Sequence, residues 1–153
     1  MKKLLMVLLL GLLLGLLMTG CGTGNQVSNN SENKGGAGIV AGEIAASLTE
    51  ESPLIFQYEV KNQTEEELIM EFTSSQRYDY SVKTKDGKEV FLFSSVASFL
   101  QALGEETVKQ GESLTYDIDL HELNLEKGDY ILTVWMTPKG GEKYEMSKEF
   151  TVQ

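Results

Sequence analysis

The chain is 153 residues long and acidic, with 13 Lys+Arg against 23 Asp+Glu, a formal net charge of −10 and a pI near 4.6. Such a surface is repelled by phosphate backbones and anionic headgroups, which excludes nucleic acid as a partner and any membrane contact made through a basic face. A single cysteine and a single histidine exclude a disulfide framework and a zinc site built from nitrogen and sulfur.

The N-terminus has the three parts of an export signal: Lys2 and Lys3, an apolar run from Leu4 to Met18, and small residues at Thr19 and Gly20. The run is 15 residues, short of the roughly 20 that a helix needs to cross a bilayer. Thr19, Gly20 and Cys21 resemble a lipobox, with Met18 standing where Leu is usual. Cleavage between Gly20 and Cys21 and acylation of the Cys21 thiol are therefore expected, with two or three acyl chains giving a stable anchor. An uncleaved anchor helix or an ordinary secretory signal is the alternative. The expected organisation is a leader over residues 1–20, a lipidated Cys21 with a flexible tether over 21–38, and a folded domain over 39–153. The tether is glycine, asparagine and serine with too little apolar surface to offset the cost of ordering. Loss of Lys2 and Lys3 lowers the cations from 13 to 11 against 23 acids, a mature charge of −12. The expected location is the extracytoplasmic face of the cell membrane, held by the Cys21 lipid.

From Ile39 the apolar pattern switches to a period of two, the mark of strands with one buried face. Ile44, Ala46 and Leu48 alternate with Glu43, Ala45 and Ser47, and Leu54, Phe56, Tyr58 and Val60 with Gln57, Glu59 and Lys61. Leu68, Met70 and Phe72 follow, then Tyr78, Tyr80 and Val82 against Arg77, Asp79 and Ser81. Asp86-Gly87 signals a two-residue hairpin turn, since both residues accept positive φ. Val96, Phe99, Leu100 and Leu103 recur at helical spacing, which predicts one or two helical turns within 94–103. Strands resume with Leu114, Tyr116, Ile118 and Leu120, then Tyr130, Leu132, Val134 and Met136. A last strand runs from Tyr144 to Val152 after the Pro138-Lys139-Gly140-Gly141 loop. About eight short strands with turn signals between them predict an all-β antiparallel β-sandwich with one short helical crossover. Leu125 to Tyr130 fits the Leu-x-x-Gly-x-Tyr corner that enters a late strand of many immunoglobulin-like domains, and Trp135 faces away from Leu132 and Val134.

Catalytic chemistry finds no support. His121 stands in an acidic stretch with no nucleophile-elbow motif, and Asp117, Asp119 and Glu122 lack the glycine-bearing spacing of a calcium loop. Tyr78 and Tyr80, at i and i+2, read as core residues rather than a ligand platform, and Glu65-Glu66-Glu67 as a solvated turn. Asn62-Gln63-Thr64 fits the glycosylation pattern and is read as coincidence in an expected bacterial lipoprotein. No catalytic residue, metal or cofactor is expected.

Several pieces together resemble the BsuPI domain family, that of the intracellular proteinase inhibitor of Bacillus. They are Val60-Lys61-Asn62-Gln63-Thr64, Phe72 through Val82, Asp86-Gly87, Phe91-Leu92-Phe93-Ser94, Phe99-Leu100-Gln101-Ala102, Gly111-Glu112 and Gly128-Asp129-Tyr130. Leu92 departs from the basic residue that the family often has between the aromatics. The resemblance implies an immunoglobulin-like sandwich and, for the founding member, inhibition of serine proteinases. That member is cytoplasmic, so a shared cellular target is not expected for an exported lipoprotein. The sequence shows no disulfide-braced loop that would mark an inhibitory segment. Two readings stand open: a membrane-anchored, non-catalytic interaction module that inhibits a proteinase, or an envelope-binding, adhesion or accessory lipoprotein without inhibitory activity. The expected partners are the membrane, through the Cys21 lipid, and a proteinase or other envelope protein, with the chain a monomer.

Overall fold

The computed structural model describes residues 42–153; Gly20, Cys21 and the expected leader and tether lie outside the described residues. Nine strands follow one another: β1 (Ile44–Ser52), β2 (Ile55–Asn62), β3 (Leu68–Phe72), β4 (Tyr78–Thr84), β5 (Glu89–Leu92), β6 (Gly104–Val108), β7 (Ser113–Asp119), β8 (Gly128–Met136) and β9 (Lys143–Val152). All pairings are antiparallel. One sheet has the order β1-β2-β7, a second β5-β4-β8-β9, and β3 pairs with β6 in a two-stranded ribbon. The larger two sheets face each other as a sandwich, joined across the core by Phe56 against Phe150 at 5.3 Å and by Tyr78 against Tyr116 at 4.5 Å between ring centroids.

The predicted faces explain the core. In β2 the residues Phe56, Tyr58, Val60 and Asn62 are buried and their neighbours are not, and β8 does the same with Tyr130, Leu132, Val134 and Met136. Both are interior strands, so each closes its apolar face against the opposite sheet, at roughly 1.5–3 kcal/mol for each large apolar side chain removed from water. Tyr58 solves its polar problem by donating to the Tyr144 carbonyl at 2.6 Å. Tyr130 donates to the Glu126 carbonyl at 2.9 Å, completing the corner read from Leu125 to Tyr130.

Asn62 ties the ribbon to the sandwich. Its Nδ2 donates to the carbonyls of Glu66 at 2.7 Å and Val108 at 2.8 Å, and its Oδ1 accepts from the Thr64 N–H at 2.9 Å and hydroxyl at 2.7 Å. With no exposed surface and both amide hydrogens engaged, Asn62 offers nothing to glycosylation chemistry in the folded state.

Four details differ from the sequence expectations. There are nine strands rather than about eight, because β6 (Gly-Glu-Glu-Thr-Val) has only one fully buried apolar residue, Val108, and hides its alternation behind acidic residues. The helical crossover reduces to a 3-10 turn at Phe93–Ser95. The reason is visible at Leu100, whose N–H and C=O are bonded to Ser75 instead of to carbonyls and amides one helical turn away. The Asp86-Gly87 hairpin closes with three residues, Lys85 to Gly87, with only Gly87 at positive φ (90°), and its N–H donates to the Thr84 carbonyl. Finally, Asp79 and Ser81, expected on a solvent face, are buried.

Candidate functional site

Among the described residues five large apolar side chains are exposed, and four of them, Val90, Val96, Leu100 and Leu103, fall in one run. Val90 to Gly104 is fifteen residues without a charge, in a chain that is 24% charged. Val96 is 68% exposed, Leu100 75% and Leu103 88%. Scattered exposed apolar residues are ordinary; a concentration in one uncharged segment marks an interaction surface.

This segment has no regular structure after the 3-10 turn, yet it is fastened along its length by alternate residues of one short stretch, 75, 77 and 79. At its start, Asp79, only 6% exposed, accepts the Ser94 N–H at 3.0 Å on the same Oδ1 that takes the Tyr80 N–H at 2.9 Å. At its middle, the Ser75 N–H donates to the Leu100 carbonyl and the Leu100 N–H donates to Ser75 Oγ, each at 2.9 Å. At its end, the Arg77 guanidinium lies against Gly104, where a Cβ would come within 2.5 Å of Nη2. Arg77 is itself fixed by Glu106 Oε1 at 2.7 Å, by the Ser74 carbonyl at 2.8 Å and by the Phe72 ring, 4.6 Å below Cζ.

Aromatic stacking supplies the other half of the brace. Phe93 lies 5.8 Å from Tyr78 and 5.0 Å from Tyr80, and Phe99 meets it edge-on at 5.8 Å. Tyr78 and Tyr80 are thus packed members of this layer, Tyr80 buried and Tyr78 half-buried. Burial pushes the Tyr80 and Tyr116 hydroxyls up to about 12, with Tyr78 adding to the first and Glu106 to the second. The Tyr80 and Tyr116 phenols therefore stay protonated past the pH near 10 at which a free phenol ionises. Next to Leu103 an open depression of about 400 Å³ is lined by Glu71, Phe72, Thr73, Glu105 and Lys139.

The other residues considered for chemistry are placed elsewhere. His121 sits exposed on a second 3-10 turn (His121–Leu123), its Nδ1 2.7 Å from Asp119 Oδ1. Among the described residues its ring bonds only to that carboxylate, whose pKa is lowered by the His121 backbone N–H and then by the imidazole. Asp117 takes a bond from Gln57 Nε2 at 3.3 Å, and among the described residues no three or more His, Cys, Asp and Glu side chains are grouped to hold a metal ion. Gly20 and Cys21 lie outside the described residues. What the sequence reading missed is the brace: alternation places Arg77 and Asp79 opposite the apolar face, and Ser75 enters only within the Phe72–Val82 stretch that resembles the family. The absence of charge from Val90 to Gly104 was the available signal.

The chain has no significant match among curated proteins. The profile of the BsuPI family, described as intracellular proteinase inhibitor, matches residues 42–141. That span contains the exposed segment and every residue of its brace. By a match covering most of its length, the chain belongs to the BsuPI family of proteinase inhibitors.

Proposed function

We propose that this protein is a non-catalytic proteinase inhibitor held at the outer face of the cell membrane by a lipid on Cys21, with Val96–Leu103 as the segment offered to the proteinase. The observation that carries the reading is the braced, exposed, uncharged segment in a chain of an inhibitor family. A segment already ordered before binding loses little conformational entropy on entering a cleft, which is the property that separates an inhibitor from a floppy substrate. The family membership supports inhibition in general.

The test is a titration of the full-length chain, purified in detergent, against a panel of serine, cysteine and metalloproteinases. A stoichiometric loss of activity in at least one supports the reading; full activity of all of them at micromolar chain removes it. Anchoring has its own test. Replacing Cys21 with Ser is expected to abolish incorporation of labelled fatty acid and to leave the leader uncleaved, because the lipoprotein peptidase needs the modified thiol. Labelling that persists in C21S would overturn the anchoring proposal and leave inhibition untouched.

A further inference from the structure

We infer that the target is a proteinase whose substrate cleft takes large apolar side chains, and that Leu100 and Leu103 plug this cleft while the Leu100 peptide is withheld from the enzyme's chemistry. This rests on the inhibitor reading above and adds to it a partner class, the contact residues and a mode of action.

The partner class follows from composition and exposure. Between Lys88 and Lys109 the chain has no basic residue, and from Val90 to Gly104 no acidic one. A pocket with a carboxylate at its base has no cation to receive from this segment, and a pocket built for acidic side chains has no carboxylate. The most exposed large apolar side chains it offers are Leu103 and Leu100. Two cations adjoin the segment and both are paired: Arg77, whose guanidinium lies against Gly104, is 2.7 Å from Glu106 Oε1, and Lys139, which shares the depression beside Leu103, has its Nζ 3.3 Å from Glu71 on β3. A membrane surface suits the segment less well, since Glu105 and Glu106 follow it directly and the chain carries a net charge of −10.

The mode follows from the backbone. A substrate-like residue must give its carbonyl oxygen to the oxyanion hole and its N–H to the enzyme. The Leu100 carbonyl already accepts from Ser75 N–H and Ala102 N–H, both at 2.9 Å, and its N–H is spent on Ser75 Oγ. A carbonyl oxygen has two lone pairs, and both are in use. The Leu100 side chain is therefore free to enter a pocket while its peptide is not free to be attacked. Inhibition is by occlusion, and the segment stays intact.

The experiment measures inhibition constants of the full-length chain and of L100E, L100K and K139A against subtilisin, chymotrypsin, trypsin and a glutamate-specific proteinase. Leu100 is exposed, so these variants should unfold at the wild-type temperature. The expected result is inhibition of one or both apolar-cleft enzymes, weakened about 30-fold or more in L100E, the scale of a central contact residue, unchanged in K139A, and with the Leu100–Gln101 bond intact by mass spectrometry after prolonged incubation. Inhibition of none of the four, or of other proteinases only, with a self-association that L100E abolishes, would assign the segment to a second copy and overturn the inference. Inhibition with L100E equal to wild type would overturn the contact assignment and leave the inhibitor reading standing. Trypsin inhibition that K139A removes would overturn the partner class, and steady cleavage after Leu100 the mode.

Discussion

Ser75 and Leu100 hold each other in both directions, the Ser75 N–H donating to the Leu100 carbonyl and the Leu100 N–H to Ser75 Oγ, each at 2.9 Å. Only the second bond uses the serine side chain, so S75A removes one arm and keeps the other. The lost bond is exposed and should cost no more than about 0.5–1 kcal/mol of global stability. The local effect should be larger. Amide exchange at Leu100 should accelerate while the interior amides of β2 and β8 keep their protection, and the inhibition constant should rise because ordering must then be supplied at binding. Unchanged exchange at Leu100 would show that Ser75 does not brace the segment.

Asn62 uses all four of its side-chain hydrogen-bonding positions, reaching Thr64, Glu66 and Val108. N62A takes the side-chain partner from the Val108 carbonyl and the Thr64 N–H and leaves a small void, while the Glu66 carbonyl keeps the Thr64 hydroxyl at 2.9 Å, so a loss of about 2 kcal/mol or more is expected. N62D preserves the acceptor toward Thr64 but turns a carboxylate toward two carbonyl oxygens, and should be at least as damaging at neutral pH. Urea unfolding reads both, as a lower midpoint at constant slope. A drop below about 1 kcal/mol in N62A would mean that water replaces the amide.

The contrast between Asn62 and β2 shows what a sequence can reveal. Phe56, Tyr58 and Val60 announce themselves by alternation, because a strand with one buried face must repeat every two residues. Asn62 continues that alternation as a polar residue, and its burial depends on Val108, which lies 46 positions away. The same limit hides the binding surface. Val96, Phe99, Leu100 and Leu103 match a helix in spacing, but the pattern holds only if the backbone bonds locally, and Ser75 claims Leu100 first. Likewise Asp79 sits on the face opposite Tyr78 and Tyr80, as period two requires, yet the chain folds Ser94 over it. Patterning locates faces; it does not say which faces the loops will cover.

The aromatic layer makes a pH prediction. The Tyr80 and Tyr116 hydroxyls are raised from 10.0 to about 12 by burial, so their neutral forms are favoured in the folded state. A phenol with a raised folded pKa contributes stability that is complete below the unfolded value near 10. That contribution is lost as pH climbs toward 12, because the unfolded chain then binds fewer protons than the folded one. Stability should be insensitive to these groups from neutral pH to about 9 and should fall between 10 and 12. Tyrosinate absorbance should rise in step with unfolding there, and Y80F should flatten the fall. A fall of equal slope in Y80F would place the linkage on other groups.

Gly104 and Arg77 make the sharpest test of the brace, because the two residues predict a change of sign. Gly104 is not at positive φ, so nothing in its backbone demands glycine. What demands it is the guanidinium, with Nη2 2.5 Å and Cζ 3.2 Å from where a Cβ would stand. In the wild-type background G104A must push Arg77 from its seat, weakening the bonds to Glu106 at 2.7 Å and Ser74 at 2.8 Å. A cost of about 1–2 kcal/mol is expected from the loss of such charge-assisted bonds. In an R77A background the space is empty, and alanine in a strand at ordinary φ is favoured over glycine by about 0.5–1 kcal/mol. The same substitution should therefore destabilise one protein and stabilise the other, giving a coupling of about 1.5–3 kcal/mol in a double-mutant cycle. Equal costs in both backgrounds would mean that Arg77 does not rest on Gly104, and the end of the segment would then have to be held by the β3–β6 pairing alone.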